Sequence, residues 1–259
     1  MTAELIDTHC HLDLAPLDRA VDAVLARAAA AGVRACLTIG TTLPSSRAAV
    51  ALAQRVPHLR AAVGVHPREA ESVTEETLAA IDRLAAEPGV AAIGEVGLDT
   101  FRGSTSLRAQ EQALCGFVAI AQRRGLPLAV HCRDAYEPLL ALLRRETRFP
   151  LRGALHCASG PAAFIQAVLA LGLHVSFAGN VTFPNAKALR ALVPLVPDER
   201  LLIETDAPFL APQPVRGGPN EPAYVAHTAR CLAALRGMTV ERLGAVTSRN
   251  ASALFGFPV

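Results

Sequence analysis

Leu5-Ile6-Asp7-Thr8-His9-Cys10-His11 begins as an apolar run and ends in side chains of metal-ligand type. In a strand, residues two apart point to the same side, so His9 and His11 project together while Cys10 faces away. Such a pair can chelate one metal ion. The same design recurs along the chain, at Thr38-Ile39-Gly40-Thr41, Gly64-Val65-His66-Pro67, Gly94-Glu95-Val96-Gly97, His131-Cys132-Arg133-Asp134, His156-Cys157-Ala158-Ser159, Phe177-Ala178-Gly179-Asn180 and Glu204-Thr205-Asp206. Six of these eight endings carry a histidine or a carboxylate.

The apolar runs lie at about 4–7, 33–39, 59–65, 90–94, 126–130, 153–156, 173–177 and 201–205. They read as strands buried on both faces. Helical patterns follow them at Leu17 to Ala31, Ser45 to Val56, Thr74 to Glu87, Ser106 to Arg124, Ala135 to Arg145, Pro161 to Leu171, Asn185 to Val193 and Ala223 to Leu235. Eight alternations of strand and helix predict an α/β fold, a (β/α)8 TIM barrel with its ligand-type residues at the C-terminal ends of the strands. A last helix, about Val240 to Leu254, is expected to close the bottom. The irregular stretch Ala207 to Pro222, rich in Pro and Gly, follows the eighth strand and reads as a functional loop.

A length of 259 residues suits one such barrel, so a single domain over 1–259 is expected. The chain is 51% hydrophobic and only 4% aromatic, which predicts a large aliphatic core. A net charge of +2 supplies no strong field for nucleic acid, so any polyanion must be held by a local patch. Six cysteines without CxxC spacing, and no apolar stretch of membrane-span length, predict a soluble cytoplasmic protein with no membrane association. Nothing in the sequence points to an obligate protein partner.

His131 and His156 each close an apolar strand and point to a second metal centre. By alternation Cys132 and Cys157 face the opposite way, into core packing. Asp206 ends the eighth strand, well placed to bind metal and to take a proton from an attacking water, with Glu204 two residues earlier on the same face. Two metals need a bridge. A carbamylated lysine is excluded because Lys187, the only lysine, falls in a helical segment, so Glu95 is the natural bridging ligand.

The motifs DTHCHLD (7–13), GVHP (64–67), GEVGLD (94–99), HCRDA (131–135), HCASG (156–160), ETDAPFL (204–210) and RGGPNEP (216–222) together resemble the TatD family of metal-dependent deoxyribonucleases within the amidohydrolase superfamily. The resemblance implies that His9, His11, Glu95 and Asp206 hold one ion, and Glu95, His131 and His156 the other. It implies two divalent ions (Zn, Mn, Mg or Ni), with Glu95 and Asp206 as the catalytic carboxylates. It also implies hydrolysis of DNA phosphodiesters from an end, on single strands or ends and of 3'-5' exonuclease type. Thr100 and Ala158 stand where the family commonly has aromatic residues, which bears on substrate preference.

Around this centre His66, Arg133, Ser159, Arg216 and Asn220 are candidates for holding phosphate, with Arg102 a further one, because guanidinium and amide donors match its oxygens. Phe101, Phe183 and Phe209 lie near strand-end loops and could stack bases. Scarce aromatics favour a terminal nucleotide over a long bound strand. The rival enzyme class is a small-molecule amidohydrolase or a deacylase cleaving esters such as aminoacylated RNA, and a third reading is a metal-stabilised scaffold without catalysis.

Overall fold

The computed structural model of the chain describes residues 4–103, 105–147 and 150–257. Eight parallel strands, β1 (Leu5–Cys10), β2 (Val33–Ile39), β3 (Leu59–Val63), β4 (Val90–Asp99), β5 (Leu128–Arg133), β6 (Gly153–Leu155), β7 (His174–Phe177) and β8 (Leu201–Ile203), pair in sequence order in one sheet. Between and after them run α1 (Val21–Ala30), α2 (Leu43–Arg55), α3 (Glu75–Leu84), α4 (Leu107–Arg124), α5 (Tyr136–Glu146), α6 (Ala162–Ala170), α7 (Lys187–Arg190), α8 (Val225–Leu235) and α9 (Val240–Phe255). The fold is a (β/α)8 barrel. No described helix is long and apolar enough to cross a membrane.

Helix limits follow local chemistry. Ser106 Oγ accepts the Ala109 amide to start α4, and Gly125, at φ 66°, stops it in the left-handed conformation that glycine adopts without strain. The segment expected as a helix over Asn185 to Val193 keeps only the four residues of α7, followed by a 3-10 turn at Val193–Leu195. Pro194 explains the difference, because its ring lacks an amide proton and collides with the carbonyl one turn back.

Alternate strand residues divide into two cores. Outward residues such as Leu128, Val130, Leu201 and Ile203 pack with the helices, whereas Ile6, Leu37, Ile39, Ala62, Ala92, Ala154 and Leu202 fill the lower barrel. There they meet Ala251, Leu254, Phe255 and Phe257 from the end of α9 and the segment after it. This plugs the bottom, and each fully buried Leu or Phe contributes about 1.5–3 kcal/mol.

The seam between β1 and β8 is closed largely by side chains. Thr8 Oγ1 donates to the Ile203 carbonyl at 2.9 Å, and the Thr205 amide and hydroxyl both donate to the Asp7 carboxylate at 2.9 and 2.6 Å. Backbone bonds then tie Asp206 to His9 (2.9 Å) and His11 to Ala207 (2.7 Å). The last strand ending is thereby fixed against the first.

Far from that rim, His174 opens β7, with Nδ1 lacking a hydrogen-bond partner. Burial, aided by the positive charge of Arg200, pushes its imidazole down to about 4 from 6.5. The folded protein therefore binds fewer protons than the unfolded chain between these values. Stability from this group is complete above pH 6.5 and falls as pH drops toward 4, by at most about 1.4 kcal/mol per pH unit. Replacing His174 with Gln is expected to remove that part of the slope in denaturant titrations run across the window. An unchanged slope would mean that His174 titrates normally.

Candidate metal centre

Glu95 stands at the middle of the upper barrel. It lies where β4 slips register against β5, between Ile93 and Val96, and the strand runs on past the expected limit at 94 to Asp99. Two glycines permit this course. A Cβ on Gly94 would lie 2.5 Å from that of Ala129, and one on Gly97, at φ +151°, would lie 1.9 Å from the His131 carbonyl oxygen. The close approach brings β4 against β5 and sets Glu95 beside the imidazoles.

The two Glu95 oxygens face different groups. Oε2 lies 3.5 Å from His9 Nε2 and 3.7 Å from His11 Nε2, and these nitrogens lie 3.8 and 3.4 Å from Asp206 Oδ1. Four ligands at about 2.1 Å around a tetrahedral ion are about 3.4 Å apart, so this set is spaced for one cation. Oε1 lies 2.7 Å from His131 Nδ1 and 2.9 Å from His156 Nε2, which are 3.0 Å from each other. His66 Nε2 is 3.6 Å from the same oxygen.

His9, His11 and His156 are buried, yet both His9 nitrogens lack a hydrogen-bond partner, as does His156 Nδ1. Buried polar atoms without partners are costly, and a cation would satisfy the inward-facing ones. His11 Nδ1 donates to the Ile39 carbonyl at 3.0 Å, which leaves Nε2 to offer its lone pair to a metal. The donor set fits two divalent ions sharing Glu95.

Protons occupy this cluster when no cation does. Burial would raise the Glu95 carboxyl, but the charge of His156 and bonds from His131 and His156 hold it well below the usual range. Asp206 is lowered in the same way, against its burial, by His11 and the charges of His156 and His9. Burial likewise opposes protonation of His11, but Asp206 and Glu95 prevail and raise it to about 9. Metal loading must expel such protons, so affinity rises with pH.

Strand ends supply strain as well as ligands. Asp206 (φ 57°), Cys157 (φ 45°) and Asp134 (φ 58°) are left-handed non-glycine residues, a cost concentrated at the barrel mouth. Cys132 packs outward as alternation requires. Cys157 does not share that outer packing. Its positive φ breaks the alternation, and it sits half-buried with its Sγ accepting from Asn180 Nδ2 at 3.7 Å.

A second circle orients the first. Glu204 Oε1 accepts the Cys157 amide at 2.7 Å and lies 3.4 Å from His156 Nδ1, while Asp99 Oδ2 lies 3.3 Å from His131 Nε2 and accepts from Arg68 Nε at 3.1 Å. Asp99 and Arg68 were not singled out from sequence. The signal for Asp99 was its place four residues beyond Glu95 on what proves to be the same strand. Substituting Glu204 with Gln is expected to weaken binding about 10–100-fold in a metal titration, because a carboxylate behind a ligating histidine sets its orientation and basicity. Equal affinity in the variant would restrict Glu204 to holding the Cys157 amide.

The other candidates are scattered around the mouth. Arg133 and Arg216 are exposed, with guanidinium groups 3.6 Å and 4.0 Å from the ring centroids of Phe101 and Phe183. Arg102 also lies over Phe101, at 4.9 Å. Ser159 Oγ donates to the Cys132 carbonyl at 3.4 Å. Asn220 is fully buried and spends its amide on the backbone, donating to the carbonyls of Thr205 (2.8 Å) and Phe209 (2.6 Å) and accepting from Glu221. Its side chain braces the loop and leaves no donor for a phosphate. Lys187 lies exposed on α7.

The family model described as TatD related DNase matches residues 6–256. An uncharacterized metal-dependent hydrolase, YabD of Bacillus subtilis, is 38% identical over 251 residues, covering 97% of this chain and 98% of its own. The 3'-5' ssDNA/RNA exonuclease TatD of Citrobacter rodentium is 42% identical over 240 residues, 91% of each chain. Among solved structures, the TatD homologue YJJV of Escherichia coli superposes with a TM-score of 0.94 at 30% identity over 100% of both chains.

Proposed function

The chain belongs to the family of TatD-related DNases, metal-dependent hydrolases of ester bonds, and from that membership we propose that it removes nucleotides from the 3' end of single-stranded DNA. The whole chain acts as one domain in the cytoplasm, a setting that suits its six free thiols. The observation that carries the reading is the division of Glu95 between the His9, His11 and Asp206 group and the His131 and His156 group. That division suits a two-metal site in which Glu95 bridges.

Two divalent ions there, Zn, Mn, Mg or Ni, would neutralise phosphate charge and polarise the phosphoryl oxygen toward attack. Asp206 acts as general base. Its depressed carboxyl is ionised at neutral pH, and its side chain is 14% exposed at the mouth, where water can reach it. His66 acts as a neutral donor. Its Nδ1 accepts the Arg68 amide at 3.1 Å, so the ring proton sits on Nε2, the nitrogen that faces Glu95. Burial first, with the charges of His131 and His156, pushes this imidazole down to about 4, against the pull of Glu95 and Asp99. The Nε2 proton is thus available to a phosphate oxygen without a net charge. Arg133 and Arg216 hold flanking phosphates, and their stacking on Phe101 and Phe183 fixes the direction of each guanidinium.

The test is hydrolysis of end-labelled single-stranded DNA by metal-stripped protein refilled with Mn, Mg or Zn, alongside the Asp206→Asn and Arg133→Ala variants. Stepwise shortening from the 3' end that requires metal and Asp206, and that Arg133→Ala weakens, is the expected result. No cleavage under any metal, with ions still bound by elemental analysis, would overturn the nuclease and direct attention to carboxylic esters and amides.

A further inference from the structure

Phe209 is the large apolar side chain most at odds with its surroundings. Among the described residues only Phe209, 52% exposed, and Leu235, 39% exposed, are large hydrophobic groups left in solvent. Leu235 ends α8, whereas the Phe209 ring lies 6.0 Å from that of His11, edge to face, at the rim of the metal cluster. A single exposed ring is ordinary on a protein surface, and what sets Phe209 apart is its place against His11 at the metal cluster.

The ring's backbone is fixed from several sides. The Phe209 amide donates to the Asp206 carbonyl at 2.8 Å, and its carbonyl accepts from the buried Asn220 amide, whose own backbone nitrogen donates to the Pro208 carbonyl at 3.0 Å. The loop therefore returns to clamp residues 205–209 and presents the ring from a preorganised site. Phe101 and Phe183 differ. Each is partly buried and carries a guanidinium over one face, so neither offers a clear platform, whereas no described cation lies over Phe209.

We propose that Phe209 is the stacking platform for the terminal nucleobase of the bound strand. The inference rests on the nuclease reading given above. A base on this ring would leave its sugar and the next phosphodiester near His11, whose Nε2 lies 3.4 Å from Asp206 Oδ1. Every nucleobase has a π face, so recognition of this kind ignores sequence but requires that the terminal residue carry a base.

The experiment compares two single strands of one length in the metal-loaded enzyme, one with ordinary nucleotides and one with an abasic tetrahydrofuran residue at each end. The wild-type protein is expected to show a KM about tenfold lower for the ordinary strand, the size of one base-aromatic stack. Phe209→Ala should raise KM on the ordinary strand until the two strands match, with kcat changed far less, and Phe209→Trp should restore the difference. Equal KM for both strands in the wild type, or a proportional loss on both in Phe209→Ala, overturns the platform while leaving the nuclease standing. Failure of the wild type to cut either strand overturns the nuclease and the platform with it.

Discussion

Glu95→Ala is expected to lower hydrolysis at least about a thousandfold under every metal supplied, a barrier increase of about 4 kcal/mol. The reason is geometric. One carboxylate lies within 3.7 Å of the nitrogens of five histidines, His9, His11, His66, His131 and His156, and no neighbouring residue can take its place between the two groups. Elemental analysis after dialysis should find bound metal depleted. The metal-free variant should also melt lower than metal-free wild type, because His156, raised well above its usual value by Glu95 and Glu204 against burial, loses its nearest counter-charge. A variant that kept two tightly bound ions and near-normal turnover would remove Glu95 from the bridge.

Gly97→Ala is expected to cost about 3 kcal/mol or more, a fall of about 6–12 °C in melting temperature. No rotamer can relieve the clash, since the new methyl would lie 1.9 Å from the His131 carbonyl, and the φ of +151° is one that L side chains rarely adopt. Because β4 must separate from β5 to admit the methyl, activity should fall more than stability does at assay temperature. Gly218→Ala, where nothing lies within 4 Å of the added Cβ, is the matched control and should melt as wild type does. Equal melting of the two variants would mean that β4 and β5 are not held in close contact at Gly97.

The barrel was legible because its strands are apolar throughout and its helices are punctuated by Pro and Gly. The clustering of the histidines was legible for a related reason: a strand converts spacing into direction, so His9 with His11, and His131 with His156 at successive strand ends, converge on one carboxylate. Glu95 came by elimination, since the chain has a single lysine and that lysine lies on a helix. What stayed hidden depends on contacts remote in sequence. Asp99 escaped because the charged Glu95 ends the apolar run and disguises the length of β4. The roles of Arg133 and Arg216 depend on rings 32 and 33 residues earlier, and the brace made by Asn220 depends on carbonyls 11 and 15 residues away. Cys157 misled because alternation assumes an extended backbone, and its φ of 45° is not extended.

The side chains of α9 that stopper the barrel floor give the enzyme a one-way street with a dead end. A polymer cannot be threaded through, so whatever is admitted at the mouth must back out by the same door. The mouth is thus both entrance and exit, and a residue that narrows it bears on admission and release alike.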